Sequence, residues 1–70
     1  MIEIALSSSA LLGCTYDPRH QLLWIRFQSG ERYLYQMVPA DVVEALAQAS
    51  SQGQYFNSVI RPHFLFERLS

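Results

Sequence analysis

The residues best suited to chemistry are two tyrosines one residue apart, Tyr33 and Tyr35. Aromatic rings can stack on nucleobases, and in single-strand-binding proteins each such contact contributes about 1 to 3 kcal/mol. Alternating aromatic residues are also typical of a strand that packs one side against a core. Both interpretations stay open, and the strand register argued below, which turns both rings inward, favours packing.

Arginines form the second candidate group, and all the basic residues of the chain are Arg. Arg26 and Arg32 are expected to lie nearly opposite one another on adjacent strands, beside Trp24. Like charges placed in this way repel unless an acid or an anion lies between them. The pattern indicates either an anion-binding surface or two arginines that extend separately into solvent.

Asn57 and Arg61 stand four residues apart and so share one edge of a predicted helix. Arg61 can bond to the last carbonyls of that helix, or it can contact a ligand. Pro62 restricts the backbone directly after Arg61, which makes the guanidinium a better-held binding group. We expect a binding site at the rim where this helix meets the sheet.

No motif for catalysis, metal binding or cofactor binding is present. His20, His63 and Cys14 lack metal-ligand spacing. The serines at 7–9 lie outside any nucleophile elbow, and the glycines are isolated rather than grouped in a phosphate-binding loop. The sequence therefore predicts a non-enzymatic protein with no catalytic residue, no metal and no cofactor.

Length and composition indicate one small domain spanning residues 1–70. A chain this short buries only about 60% of its unfolded surface, yet 50% of its residues are hydrophobic. Such a composition favours a dense core or a surface covered by a partner, so a homodimer is one expectation. The net charge is −1, and neither a membrane-spanning run nor a basic signal segment is seen. With a single cysteine, these features predict a cytoplasmic protein with no membrane contact.

Residues 22–38 predict a β-hairpin, because apolar and polar positions alternate on both sides of Gly30. A two-residue loop would split the best apolar residues between the two faces. A three-residue loop, Gln28 to Gly30, with Gly30 in the left-handed conformation, avoids this. We expect this register, which pairs Ile25 with Tyr33 and Leu23 with Tyr35.

Two further strands are predicted before the hairpin, at residues 1–6 and 11–16. Residues 17–20 carry Asp and Pro at positions suited to a type I turn. The pairs expected across this turn are Tyr16 with Gln21, Cys14 with Leu23 and Leu12 with Ile25.

This register divides the strands between two faces. Leu12, Cys14 and Tyr16 join the core face. The reverse face holds Leu11, Gly13, Thr15, Leu22, Trp24, Arg26, Arg32, Leu34 and Gln36, with Gly13 opposite Trp24. Because this face is partly apolar, we expect the N-terminal strand, the C-terminal tail or another subunit to cover it.

Two short helices follow the hairpin. The first begins with Pro39 in its first turn and runs to about Ala49, and its apolar residues are Val42, Val43, Leu46 and Ala49. The second opens at a capping box, Ser51 with Gln54, and Pro62 ends it. The predicted fold is α+β: an antiparallel β-meander with two short C-terminal helices packed on the face of Leu23, Ile25 and Tyr35, and terminal strands as possible additions.

These motifs together resemble the KTSC domain. The matching segments are residues 8–9, 13–17, 23–30, 33–39 and 49–61, and the family-like positions include Tyr33, Tyr35, Gly53, Phe56, Asn57 and Arg61. The family occurs at the C-terminus of some lysyl-tRNA synthetases and as stand-alone bacterial proteins. The resemblance implies a small binding module with an RNA-contacting role.

Two functional hypotheses follow. The first is an RNA-contacting module whose candidate residues are Tyr33, Tyr35, Asn57, Arg61, Arg26, Arg32 and Trp24. The second is a protein-interaction or self-association module that does not bind nucleic acid, suggested by the apolar reverse face. A pI near 6.0 predicts that any RNA binding is weak and salt-sensitive.

Overall fold

The computed structural model describes all 70 residues and contains one five-stranded antiparallel sheet with two helices. The strands are β1 Ile2–Ala5, β2 Leu11–Asp17, β3 Leu22–Phe27, β4 Arg32–Tyr35 and β5 Phe66–Arg68. Their order in the sheet follows the sequence, so β1 and β5 are the two edges. The helices are α1 Ala40–Gln48 and α2 Gln52–Tyr55, which continues as a π-helical segment Phe56–Ile60. The α+β meander is confirmed, and both terminal strands are present.

The central hairpin has the predicted register. Ile25 pairs with Tyr33 and Leu23 with Tyr35. Gly30 has a φ of 99°, a conformation that L side chains rarely adopt, and its N–H donates to the carbonyl of Phe27 at 3.0 Å. The local turn chemistry was therefore sufficient to set the pairing of β3 with β4.

The pairing of β2 with β3 differs from the prediction by two residues. Asp17 lies opposite Leu22, so Tyr16 pairs with Leu23 and not with Gln21. The Asp17 carboxylate accepts a hydrogen bond from the Arg19 N–H at 3.1 Å and contacts the His20 ring at 2.8 Å, so Asp17 remains in the strand while it organises the loop. Because the shift is even, Cys14 and Tyr16 keep the predicted core face.

A β-bulge between Leu11 and Gly13 reverses the prediction for two leucines. Leu11 is 1% exposed and belongs to the core, whereas Leu12 is 54% exposed. Because β2 has one extra residue here, the side chains at the start of the strand lie on the opposite faces of the sheet from those that simple alternation gives. The expectation that Leu12 faces the core and Leu11 the reverse face was wrong.

Gly13 lies opposite Arg26, which corrects the expected pairing with Trp24. A Cβ at this position would lie 2.8 Å from the Arg26 Nη2 and 3.2 Å from the Ile4 carbonyl oxygen. The glycine therefore leaves room for the Arg26 side chain to cross β2 toward β1.

Both helices pack on the sheet face that carries Leu23, Ile25 and Tyr35, as predicted. The α1 helix contributes Val43 and Leu46, and the π-helical segment contributes Phe56 and Ile60. The buried core is Leu11, Cys14, Tyr16, Leu23, Ile25, Tyr35, Val38, Val43, Leu46, Phe56 and Ile60. Within it, the Tyr16 hydroxyl donates to the Val38 carbonyl at 2.6 Å, which satisfies a polar group that burial would otherwise penalise.

The helix boundaries are close to those expected. Pro39 caps α1 from outside, one residue before its first helical position. Ser51 Oγ accepts from the Gln54 N–H at 3.4 Å, which fits the predicted cap. The unexpected feature is the π-helical segment, in which the Arg61 N–H donates to the Phe56 carbonyl at 2.9 Å. Neither helix has the length and apolar character needed to span a membrane.

The other face of the sheet carries Leu22, Trp24 and Leu34, and no helix covers it; we call it the open face. The N- and C-terminal segments lengthen the sheet at its two edges through β1 and β5. Neither terminal strand lies over this face, although Met1 and Leu69 line a hollow on it together with Trp24. Leu22, Trp24 and Leu34 are all half-buried. Coverage of the open face by another subunit stays a prediction.

Candidate functional site

An aromatic cluster occupies the helix side of β4 and β5. The rings of Tyr33 and Tyr35 stack with centroids 6.4 Å apart and planes at 21°. Phe66, which pairs with Tyr35 across the two strands, has its ring 5.5 Å from both tyrosines. Tyr35 is 1% exposed and Phe66 54%, while Tyr33 is half-buried. The cluster thus has a buried base and an accessible edge.

Phe27 and Phe56 hold this cluster from beneath. Phe56 makes edge-to-face contacts with Tyr35 and Phe27, each at 5.5 Å, and Phe27 makes one with Tyr33 at 5.5 Å. Edge-to-face geometry is favourable for aromatic pairs. Because these rings fix the positions of the tyrosines, the accessible edge is well ordered before any ligand arrives.

Arg61 lies beside the cluster and is exposed. Its guanidinium carbon is 5.6 Å from the centroid of the Phe56 ring, a cation–π contact. No carboxylate lies within ion-pair distance of it. Burial raises the pKa of the Tyr35 phenol, and the nearby Arg61 charge partly offsets that rise. We call Tyr33, Tyr35, Phe66 and Arg61 the aromatic surface, which combines ring faces with one uncompensated positive charge.

Asn57 lies one turn before Arg61 and is exposed. Its side-chain amide makes no hydrogen bond within the protein. The structure therefore places Asn57 in the π-helical segment and Arg61 at its C-cap, both exposed, and their role in binding stays a prediction.

Arg26 and Arg32 are direct cross-strand partners on the open face, as the sequence predicted. The Arg26 guanidinium turns away from Arg32, donates to Thr15 Oγ1 at 2.9 Å and forms an ion pair with Glu3. This carboxylate removes the repulsion, so Arg26 has a structural partner. Arg32 has none, and its Nε donates to Ser70 Oγ at 2.9 Å.

The Arg26–Glu3 pair predicts how stability depends on pH. Hydrogen bonding from Thr15, followed by Arg26, lowers the pKa of Glu3 below 4.5. A carboxyl group whose pKa is lower in the folded than in the unfolded state stabilises the fold at pH values above the unfolded-state pKa. This stabilisation is lost as the pH falls through the folded-state pKa. We expect the difference between the wild-type and Glu3→Gln melting temperatures to shrink as the pH falls below the ordinary Glu pKa of about 4.3.

Parallel thermal melts of the wild type and the Glu3→Gln variant from neutral pH to below pH 4 measure this difference. Asp17, whose pKa is lowered by its bond to His20, titrates in both proteins and cancels in the comparison. A difference in melting temperature that does not change with pH would show that the pair contributes nothing through ionisation.

The remaining ionisable groups do not form a reactive cluster. No group of three potential metal-binding side chains is present. Cys14 is buried, and burial raises the pKa of its thiol to about 11, so it stays protonated at neutral pH. His63 contacts the Val59 carbonyl at 3.0 Å at the helix end.

Phe66 was not among the residues predicted for the site. A C-terminal strand was expected only as an addition to the meander, without a pairing partner. Its position opposite Tyr35 follows from long-range pairing with β4. Arg68 lies opposite Tyr33 and is paired with Glu31 at 3.2 Å, so it adds little net charge to the aromatic surface.

Comparison with known proteins defines the class of this chain. A model of the KTSC domain matches residues 7–64, and the chain therefore belongs to the KTSC domain family. The resemblance inferred from the motifs is confirmed.

Individual relatives include both stand-alone proteins and parts of larger ones. An uncharacterised protein of Stutzerimonas stutzeri is 44% identical over 70 residues, which is 99% of both chains. A lysine–tRNA ligase of Nostoc punctiforme is 46% identical over 56 residues, which is 80% of this chain but 10% of the ligase. The crystal structure of a KTSC domain protein from Yersinia pestis matches with a TM-score of 0.88 and 33% identity, over 99% of this chain and 97% of that one.

Proposed function

We propose that this KTSC-domain chain is a non-catalytic module that contacts single-stranded RNA through the aromatic surface. The observation that carries the proposal is an accessible pair of rings, Tyr33 and Phe66, in an aromatic cluster whose Phe56 ring contacts Arg61, a cation with no carboxylate partner. An RNA-contacting role would place the protein in the cytoplasm.

Stacking is the main expected source of affinity. A base that stacks on Phe66 and the edge of Tyr33 gains about 1 to 3 kcal/mol without any preference for a particular base. Arg61 is held over the Phe56 ring, so it loses less entropy when it binds a phosphate than a free side chain would. Tyr35, which is nearly fully buried, supports the other two rings.

Charge limits the strength of this binding. The net charge of −1 gives little of the phosphate-driven attraction that dominates most nucleic-acid binding. We therefore expect weak binding that falls further as salt rises. The lysine–tRNA ligases that contain a similar segment are named for tRNA, and this association supports RNA as the ligand.

The test is a fluorescence-anisotropy titration of a labelled single-stranded RNA at low and at physiological salt. We expect Phe66→Ala to weaken binding about 5- to 150-fold, which corresponds to the loss of one stacked base. Leu12→Ala is the matched control, because Leu12 and Phe66 are both 54% exposed but Leu12 lies outside the aromatic surface.

Two results would contradict the proposal. One is the absence of any binding at low salt. The other is an equal loss of affinity in the Phe66→Ala and Leu12→Ala variants, which would mean that the exposed ring has no specific role.

Self-association is a second candidate, favoured by the exposed apolar residues at the sheet edges. Ile2 on β1 is 49% exposed and Phe66 on β5 is 54% exposed, and both edges have unpaired backbone groups. Such edges can pair with another chain. Sedimentation velocity over a wide concentration range tests this, and a sedimentation coefficient that stays at the monomer value would exclude it.

A further inference from the structure

A hollow of about 260 Å³ lies on the open face, on the opposite side of the sheet from the aromatic surface. Met1 and Leu69 form apolar parts of its wall. Thr15, Trp24, Arg26 and Arg32 are its other principal lining residues. We propose that this hollow binds a small monocarboxylate whose body is an aromatic or branched apolar group.

The charged residues that line the hollow favour a ligand with a single negative charge. Arg26 is already neutralised by Glu3 and held by Thr15. Arg32 has no carboxylate partner and is oriented by a hydrogen bond from its Nε to Ser70 Oγ at 2.9 Å. Its terminal nitrogens make no hydrogen bond within the protein, and a guanidinium can bind a carboxylate through two parallel hydrogen bonds.

The rest of the lining selects for an apolar body. Trp24 offers half-buried indole surface, and its indole N–H has no acceptor within the protein. Met1 and Leu69 add apolar surface above it. Binding sites for small molecules typically combine such apolar walls with a few polar groups that fix orientation.

The hollow is open to solvent, and its volume of about 260 Å³ is enough for a small ligand such as one ring with a short carboxylate arm. The hollow and the aromatic surface lie on opposite faces of the sheet, which separates this site from the proposed RNA contact.

Phenylacetate, with its carboxylate on an aromatic ring, is the probe for this site. Trp24 is the single tryptophan of the chain, so its fluorescence reports on the hollow directly. We expect a saturable change with a Kd on the order of 1 mM. Phenylacetamide lacks the charge and acetate lacks the ring, and each should bind at least about tenfold more weakly.

Two variants locate the binding. Arg32→Ala should raise the Kd for phenylacetate about tenfold or more, since it removes the uncompensated charge. Arg61→Ala removes the same charge on the other side of the sheet and should leave this Kd unchanged. The NMR resonance of the Trp24 indole N–H provides a second readout that does not depend on a fluorescence change.

The inference is overturned if neither readout saturates, if phenylacetamide binds as well as phenylacetate, or if Arg32→Ala has no effect. It does not depend on the RNA proposal. Loss of phenylacetate binding in Arg32→Ala and loss of RNA binding in Arg61→Ala are separate results, and either can occur without the other.

Discussion

Replacing Phe56 by Ala is expected to lower the free energy of unfolding by about 3 to 5 kcal/mol, enough to unfold much of the population. Phe56 is 1% exposed, and its ring contacts Phe27 and Tyr35. Removing the ring therefore loses apolar burial, leaves a cavity and frees the base of the aromatic surface. Ile25→Ala should lower the free energy of unfolding by about 2 to 5 kcal/mol, because it also loses apolar burial and leaves a cavity.

Thermal and urea denaturation measure the effect of Phe56→Ala. Asn57→Ala is the matched control, because the adjacent Asn57 is exposed and bonds to nothing within the protein. It should change stability by less than about 0.5 kcal/mol. A Phe56→Ala variant that melts within a few degrees of the wild type would show that the second helix is not packed as described.

The second large effect concerns two adjacent leucines. Leu11→Ala is expected to destabilise the fold by about 2 to 5 kcal/mol, because Leu11 is buried, while Leu12→Ala should cost less than about 0.5 kcal/mol. Simple alternation along β2 predicts the reverse result. Urea denaturation of both variants thus tests the β-bulge, and a larger loss for Leu12→Ala would contradict it.

The hairpin could be predicted because its determinants are local. Alternation in β3 and β4 defined the two faces, and Gly30 fixed the turn between them. The helix start after Pro39 and the cap at Ser51 were predictable for the same reason, since each depends on residues within one turn.

The β2–β3 register and the bulge could not be predicted, because the residue types at these positions do not indicate them. Gln21 takes a left-handed conformation, with a φ of 57°, that its residue type does not suggest. At the bulge, the Leu11 N–H donates to Ser8 Oγ, and the Gln28 N–H donates to the carbonyl of the preceding residue, Ala10.

The candidate site was predicted only in part. Tyr33, Tyr35 and Arg61 were predicted from the sequence, and the fold brings them together. Arg26 was also predicted, but its partner Glu3, 23 residues away in the chain, gives it a structural role. Phe66 was missed because its neighbours Tyr33 and Tyr35 are on a strand more than thirty residues earlier in the chain.

The central claim is that the aromatic surface contacts RNA, and Arg61→Ala tests it most directly. This substitution should weaken single-stranded RNA binding about tenfold per folded molecule, the loss of one charge-assisted contact. It should cost only about 0.5 to 1 kcal/mol of stability through the lost cation–π contact. Arg19→Ala, which removes an equal charge from the exposed β2–β3 loop, is the control and should bind nearly as the wild type does.

The decisive measurement is an RNA titration of both variants in parallel, with the folded fraction of each determined by circular dichroism. We expect a selective loss of affinity in Arg61→Ala. An equal loss in both variants would contradict RNA contact at the aromatic surface, and so would an Arg61→Ala variant that is destabilised by more than about 2 kcal/mol while binding per folded molecule is unchanged.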